Sequence, residues 1–297
     1  MVERIHLPYQ DYGGIYYWDR EKDYFSFERH YGFGSNFCFL MTVLAILKNR
    51  NIYPKKMSAY LTNYKNYNLF DKIFYINLNK LEEWTTISNK DFDNLYFNTK
   101  NSTLHQYGFG FGDKSSDVNF KILKPLLDTY FCLTPIIMRH AENLMKEINF
   151  NPESIFVWWR KTDKTTEVLN GYPELKVIKK YLSTDRLIYF QSDDKEIINE
   201  VLSYTEFKNI RILNVLPPCN ENVGAHEIIY REGTSHEAEK HILNLVALII
   251  IASKCSHFIG YPGSISNVIC MFKKSFKNTV IFKPFNELYT DSEYQIL

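Results

Sequence analysis

The residues of this chain best suited to chemistry gather where an apolar run stops in charge. Ile155-Phe-Val-Trp-Trp159 is a run of strand formers, and Arg160, Lys161, Asp163 and Lys164 follow within five residues. A buried parallel strand that delivers cations at its carboxyl end is how an α/β protein holds an anionic ligand. Arg160 suits a diphosphate, because the guanidinium donates two parallel hydrogen bonds and keeps its charge.

Two further groups fall at comparable places. Ser192-Asp193-Asp194 closes the next apolar run. Vicinal carboxylates at a strand end could accept hydrogen bonds from a ribose or base, or cap the following helix; they point in roughly opposite directions, so only one is expected to face a ligand. Gly263-Ser264 stands where a third run turns into a helix. Ser264 is expected to cap it, and the first amides of a helix favour an anion. Arg160 and Ser264 together outline a diphosphate clamp that needs no metal.

Weaker signals lie elsewhere. His30-Tyr-Gly-Phe-Gly-Ser-Asn36 reads as a glycine loop opening a helix, with Ser35 or Asn36 as N-cap. Gly32 and Gly34 would let backbone amides approach a ligand oxygen, although Gly-x-Gly alone is as well explained by a tight turn. Asp91-Phe-Asp93 reads as a solvated turn, and His105 to Gly112 as a second glycine-aromatic loop. His236 and His241 are five apart, so they do not share a helical face as a zinc pair would.

These groups need elements to position them. From Ile155 onward, strands alternate with helices. The expected order is strand Ile155–Trp159, helix Pro173–Tyr181, strand Arg186–Gln191, helix Lys195–Leu202 and strand Asn209–Leu213. A long loop, a helix from Ser235 to Ala252, strand His257–Gly260, helix Ser264–Lys273 and strand Thr279–Phe282 follow. That alternation predicts a doubly wound parallel sheet, with ligands outside the strands' carboxyl ends. The stretch before it reads as a less regular α/β domain. The domains are therefore an N-terminal α/β domain over 1–128, a connecting helix over 129–152, a nucleotide-binding type of domain over 153–285 and a tail over 286–297.

Composition narrows the function. There are 35 basic and 34 acidic residues, a net charge of +1, so no sustained basic field exists for nucleic acid or a membrane surface. Five scattered cysteines without Cys-x-x-Cys fit a reducing compartment, with no zinc site. The first 30 residues are polar and aromatic, and the apolar runs Phe37–Leu47 and Ile242–Ala252 fall short of the roughly 20 residues a bilayer needs. No leader and no membrane span are expected, and the location expected is cytoplasmic. Abundant Lys, Asn, Ile, Tyr and Phe match AT-rich genomes such as those of some large viruses.

The ordered series of motifs resembles the α1,6-fucosyltransferase family, including the nodulation fucosyltransferases. Val157-Trp-Trp-Arg-Lys-Thr-Asp-Lys164 resembles its Val-His-Val-Arg-Arg-Thr-Asp-Lys. Leu187 to Asp194 resembles its strand ending Ala-Thr-Asp-Asp, and Ala252 to Ser264 its strand-to-serine turn. Tyr31-Gly-Phe-Gly34 resembles its N-terminal loop, and Tyr130 to Ile136 its helix entry.

The resemblance implies a GT-B-like enzyme with two Rossmann-like α/β domains facing a cleft. It implies inverting transfer of a sugar from a nucleotide-sugar donor to a glycan acceptor, with no metal and no cofactor. Arg160 would hold the diphosphate and Ser264 would donate to it. Asp193 or Asp194 would bind the nucleoside, with Lys161, Lys164, Trp158, Ser192, Gly263, Gly32 and Gly34 completing the donor site. Glu167, with Asp163 behind it, would be the general base. The family's central histidine is Trp158 here and its second arginine is Lys161. The donor therefore stands between GDP-fucose and UDP-xylose. A non-catalytic nucleotide- or sugar-binding protein on the same scaffold is the alternative.

Overall fold

A computed structural model describes residues 2–4, 14–88, 124–160, 175–216, 218, 224–260, 263–273, 277–282 and 293–296. The chain forms two compact units, Met1–Arg139 with Glu232–Leu243, and His140–Arg231 with Asn244–Leu297.

The first unit carries a five-stranded sheet in the order β1 (Val2–Arg4), β2 (Gly14–Asp19), β3 (Tyr24–Arg29), β4 (Lys56–Leu61) and β5 (Tyr67–Asn68). Only β3 and β4 are parallel, and helix α1 (Phe33–Asn49) connects them. Both units are thus α/β, but the doubly wound order belongs to the second. Along β3, Phe25, Phe27 and Arg29 are buried while Tyr24, Ser26 and Glu28 are partly exposed, the period of two that a pleated strand imposes.

β6 (Phe74–Tyr75) pairs with β7 (Cys132–Leu133) beside this sheet. An aromatic cluster lies here. Phe37 meets Phe131 at 4.6 Å between ring centroids and Phe74 at 5.8 Å, and Phe74 meets Phe131 edge-on at 5.3 Å. Such tilted contacts suit the ring quadrupoles.

Helix α2 (Pro135–Glu147) begins on its proline, whose fixed φ fits a first turn. It ends at Asn149, which adopts φ 46°, and the Phe150 amide reaches back to the Met145 carbonyl at 2.8 Å. That is the left-handed cap expected of an asparagine stop.

The second unit holds six strands: β8 (Ile155–Trp159), β9 (Ile188–Ser192), β10 (Ile210–Ile212), β11 (His257–Gly260), β12 (Thr279–Phe282) and β13 (Glu293–Ile296). Their order is β10-β9-β8-β11-β12-β13, with every pair parallel except the last. Counted within the unit this is 3-2-1-4-5-6, the doubly wound arrangement. Strand order reverses between β8 and β11, so the crevice for a ligand lies beyond their carboxyl ends.

All five residues of β8 and of β9 are buried, which explains the continuous apolar text of β8 and of Ile188–Phe190 in β9. Ile155, Val157 and Trp159 join Ile188, Phe190 and Ile259 in one core. The 3-10 helix Leu175–Tyr181 and helix α3 (Lys195–Leu202) supply Leu175, Ile178, Ile197 and Val201 to it. The sequence predicted an α-helix at 173–181; the described part is 3-10. Helix α4 (Ala225–Glu232) occupies part of the predicted long loop. Helices α5 (Ser235–Lys254) and α6 (Ser264–Lys273) flank β11 in the chain.

The first turn of α5 is a capping box. The Thr234 hydroxyl accepts the Glu237 amide at 3.2 Å, and the Glu237 carboxylate accepts the Thr234 amide at 2.7 Å. This gives Glu237 of the charged His236 to His241 text a structural role.

Candidate functional site

The site is built at the carboxyl ends of β8 and β9. Parallel pairing sets Trp159 beside Ser192, so the residues just beyond them, Arg160 and Asp193, leave the sheet side by side. The Arg160 Nε–H donates to Asp193 Oδ2 at 3.0 Å, with both side chains about one-fifth exposed. The contact fixes the plane of the guanidinium at the edge of the crevice.

Asp194 is used differently. Its Oδ1 accepts the Ile197 amide at 3.0 Å, which makes it the N-cap of α3. Its own amide donates to the Ser192 hydroxyl at 3.2 Å. The two carboxylates therefore divide as side-chain alternation requires: Asp193 toward Arg160, Asp194 toward the helix.

Across the switch point, β11 ends at Gly260, in register with Trp158. A Cβ on Gly260 would stand 2.6 Å from Ser266 Oγ and 2.8 Å from the Phe258 ring, so the close approach of α6 requires glycine there. Gly263 is the reverse case, with no atom within 4 Å of where a Cβ would be. The Asn267 amide reaches the Gly263 carbonyl at 3.3 Å and α6 starts at Ser264. Gly263 thus stands at the cap position and Ser264 is the first helical residue. The expectation that Ser264 caps the helix is corrected: a glycine supplies no side-chain acceptor, and open space lies beside it.

The N-terminal glycines are also redrawn. Gly32 is the N-cap of α1, with no side-chain cap, and Gly34 lies inside the first turn rather than in a loop. Neither Ser35 nor Asn36 caps the helix. The Asn36 amide group is spent on the carbonyls of Tyr31 at 2.8 Å and Arg29 at 3.4 Å, while the Tyr64 hydroxyl accepts the Phe33 amide at 3.4 Å. These residues belong to the first unit.

Trp158 is buried, and its Nε1–H has no hydrogen-bond partner among the described residues. Lys161, Asp163, Lys164 and Glu167 lie outside the described residues, as do Asp91, Asp93 and the loop His105 to Gly112.

Two polar residues escaped the sequence reading. Arg29 is 3% exposed, and burial pushes its pKa down to about 10. Its guanidinium donates to the Ser35 carbonyl at 3.3 Å and lies 3.3 Å over the Phe39 ring. The alternation Phe25, Phe27, Arg29 was the available signal. Gln191 is 2% exposed on β9, and its Nε2 donates to the carbonyls of Ser192 at 2.9 Å and Leu216 at 3.1 Å. Its place inside an apolar run was the signal.

Among the described residues no cluster of three or more His, Cys, Asp or Glu could hold a metal ion, and no helix is long and apolar enough to cross a membrane. The second unit is thus a doubly wound α/β unit with an arginine–aspartate pair at its switch point.

No family model and no curated protein sequence matches the chain. Among solved structures it is similar to NodZ α-1,6-fucosyltransferase soaked with GDP-fucose, at 13% identity and a TM-score of 0.45 over 86% of this chain and 93% of that one. NodZ from Bradyrhizobium gives 13% and 0.43 over the same shares. Arabidopsis thaliana FUT1 in complex with GDP gives 10% and 0.32, over 58% of this chain and 37% of that one. All three are distant likenesses.

Proposed function

We propose that the chain is an inverting, metal-independent glycosyltransferase that moves a sugar, fucose from GDP-fucose or xylose from UDP-xylose, to a glycan hydroxyl. The observation that carries this reading is the Arg160–Asp193 pair, held at 3.0 Å at the carboxyl end of the strand bordering the switch point. A guanidinium oriented by a carboxylate is preorganised for charge that develops on a leaving diphosphate. The α6 start at Gly263-Ser264 adds amides and a helix dipole across the same crevice. Glu167, with Asp163 behind it, takes the acceptor proton. Lys161, Lys164, Trp158 and Ser192 complete the donor site.

A thermal-shift panel with GDP, UDP, GDP-fucose and UDP-xylose tests it, because a nucleotide bound only by the native state raises its stability. A rise with one nucleotide series, followed by transfer or donor hydrolysis that survives chelator, is the expected result. No shift with any of the four overturns the reading. Binding without transfer or hydrolysis assigns the chain to non-catalytic nucleotide binding.

A further inference from the structure

Gln191, which is buried, and Asn244, which is half-buried, hold the backbone around the end of β9, up to the Ser192 carbonyl one residue before Asp193. The last carbonyls of a parallel strand point past its ladder and need donors. Ser192 at the end of β9 obtains one from its neighbour, since Gln191 Nε2 donates to the Ser192 carbonyl at 2.9 Å. The same nitrogen donates to the Leu216 carbonyl at 3.1 Å, in the segment leaving β10. One residue earlier, the Val215 carbonyl accepts Asn244 Nδ2 at 3.2 Å. Asn244 Oδ1 is then the acceptor for His140 Nε2 at 2.9 Å, which places the histidine proton on Nε2. His140 and Asn244 are the residues at which α2 and α5 enter the second unit.

We propose that Gln191 and Asn244 are positioning residues for Arg160. The backbone at Ser192 sets the direction in which Asp193 leaves the strand, and Asp193 in turn sets the guanidinium. One bond from the Gln191 amide holds the Ser192 carbonyl and the other ties it to Leu216, inside the core where a lost hydrogen bond is costly. Any value of these bonds for turnover rests on the nucleotide-sugar reading; their effect on Arg160 does not.

The test follows the Arg160 Nε–H directly, by NMR of the full chain labelled with ¹⁵Nε-arginine and assigned through the peak missing in Arg160→Lys. Gln191→Met removes both donated bonds, and Asn244→Asp keeps the acceptor for His140 but loses the donor to Val215. Each should speed solvent exchange of the Arg160 Nε–H by about tenfold, the scale of one lost buried hydrogen bond. Ile259→Val loosens the same sheet without touching these bonds and should leave that signal unchanged. Should Gln191→Met not fold, Asn244→Asp decides alone. Wild-type exchange in folded Asn244→Asp, or equal acceleration in Ile259→Val, overturns the proposal. GDP and UDP affinities measured on the same samples keep the two readings apart: a wild-type chain that binds neither sinks the nucleotide-sugar reading, while the exchange rates still judge the positioning.

Discussion

Asp193 and Asp194 are neighbours in the chain with separate partners: Asp193 accepts the Arg160 Nε–H at 3.0 Å, and Asp194 accepts the Ile197 amide at 3.0 Å. The strand alternation that parts them lets one carboxylate serve the crevice while the other starts a helix. Substitutions at the two positions should therefore have different consequences.

Arg160→Ala should leave the fold intact, because the side chain lies at the edge of the sheet rather than in its core. Turnover should fall by about 10²-fold or more, the scale for a lost transition-state donor. Arg160→Lys keeps the charge but not the planar fork and should rescue only part of the loss. Steady-state transfer rates measure both, and near-wild-type transfer by Arg160→Ala would rule out the clamp.

Asp194→Ala should lower stability by about 1 kcal/mol, the usual cost of a lost N-cap. Nucleotide affinity should change little, since Asp193 remains to orient Arg160. Denaturant unfolding and calorimetric titration read the two effects separately. An affinity loss as large as that of Asp193→Ala would show that the carboxylates do not divide in this way.

The two glycines after β11 should also differ. Gly260→Ala puts a methyl 2.6 Å from Ser266 Oγ and 2.8 Å from the Phe258 ring, an overpacking that costs about 1–3 kcal/mol. Gly263→Ala meets nothing within 4 Å and should cost only the smaller loss, about 0.5 kcal/mol, of exchanging glycine for alanine at an N-cap. Thermal unfolding of the two variants side by side is the check. Equal tolerance at both positions would mean that α6 can withdraw from the strand.

The second unit was far more legible in the sequence than the first. Ile155–Trp159, His257–Gly260 and Ser264–Lys273 stand where their text puts them. The two strands are short apolar runs with charge or glycine at their ends, the trace that parallel strands buried on both faces leave. In the first unit, β3 alternates correctly, but its third inward residue is Arg29, so the apolar pattern breaks before a strand is evident. Gly32 and Gly34 suggest a loop because glycine is a poor helix former, yet α1 absorbs Gly34 in its first turn. At the site, charge at a strand end pointed to Arg160 and Asp193. Gln191 was marked only by its polarity inside an apolar run; which carbonyls it satisfies, those of Ser192 and Leu216, no residue type announces.

At the other end of the sheet, His257 should make the fold acid-sensitive. Its pKa is lowered from 6.5, first by burial and then by the charges of Arg186 and Lys273, while Glu153 acts weakly in the opposite sense. Arg186 Nη1 lies 2.6 Å from His257 Nδ1, and the Ser256 hydroxyl 2.9 Å from the same nitrogen. A proton on Nδ1 would displace that contact and set a third cation among two. Because the folded state holds this proton less tightly than the unfolded chain, the unfolded chain binds more protons in the window below about pH 6.5, and stability falls as pH falls through the folded pKa. Above that window both states are neutral at this residue and the contribution is fully present. His257→Gln keeps the size and some polarity of the ring but takes up no proton. Melting temperatures between about pH 8 and 5 should drop less steeply for the variant than for wild type. A variant with the same acid limb would place the sensitivity on the carboxylates instead.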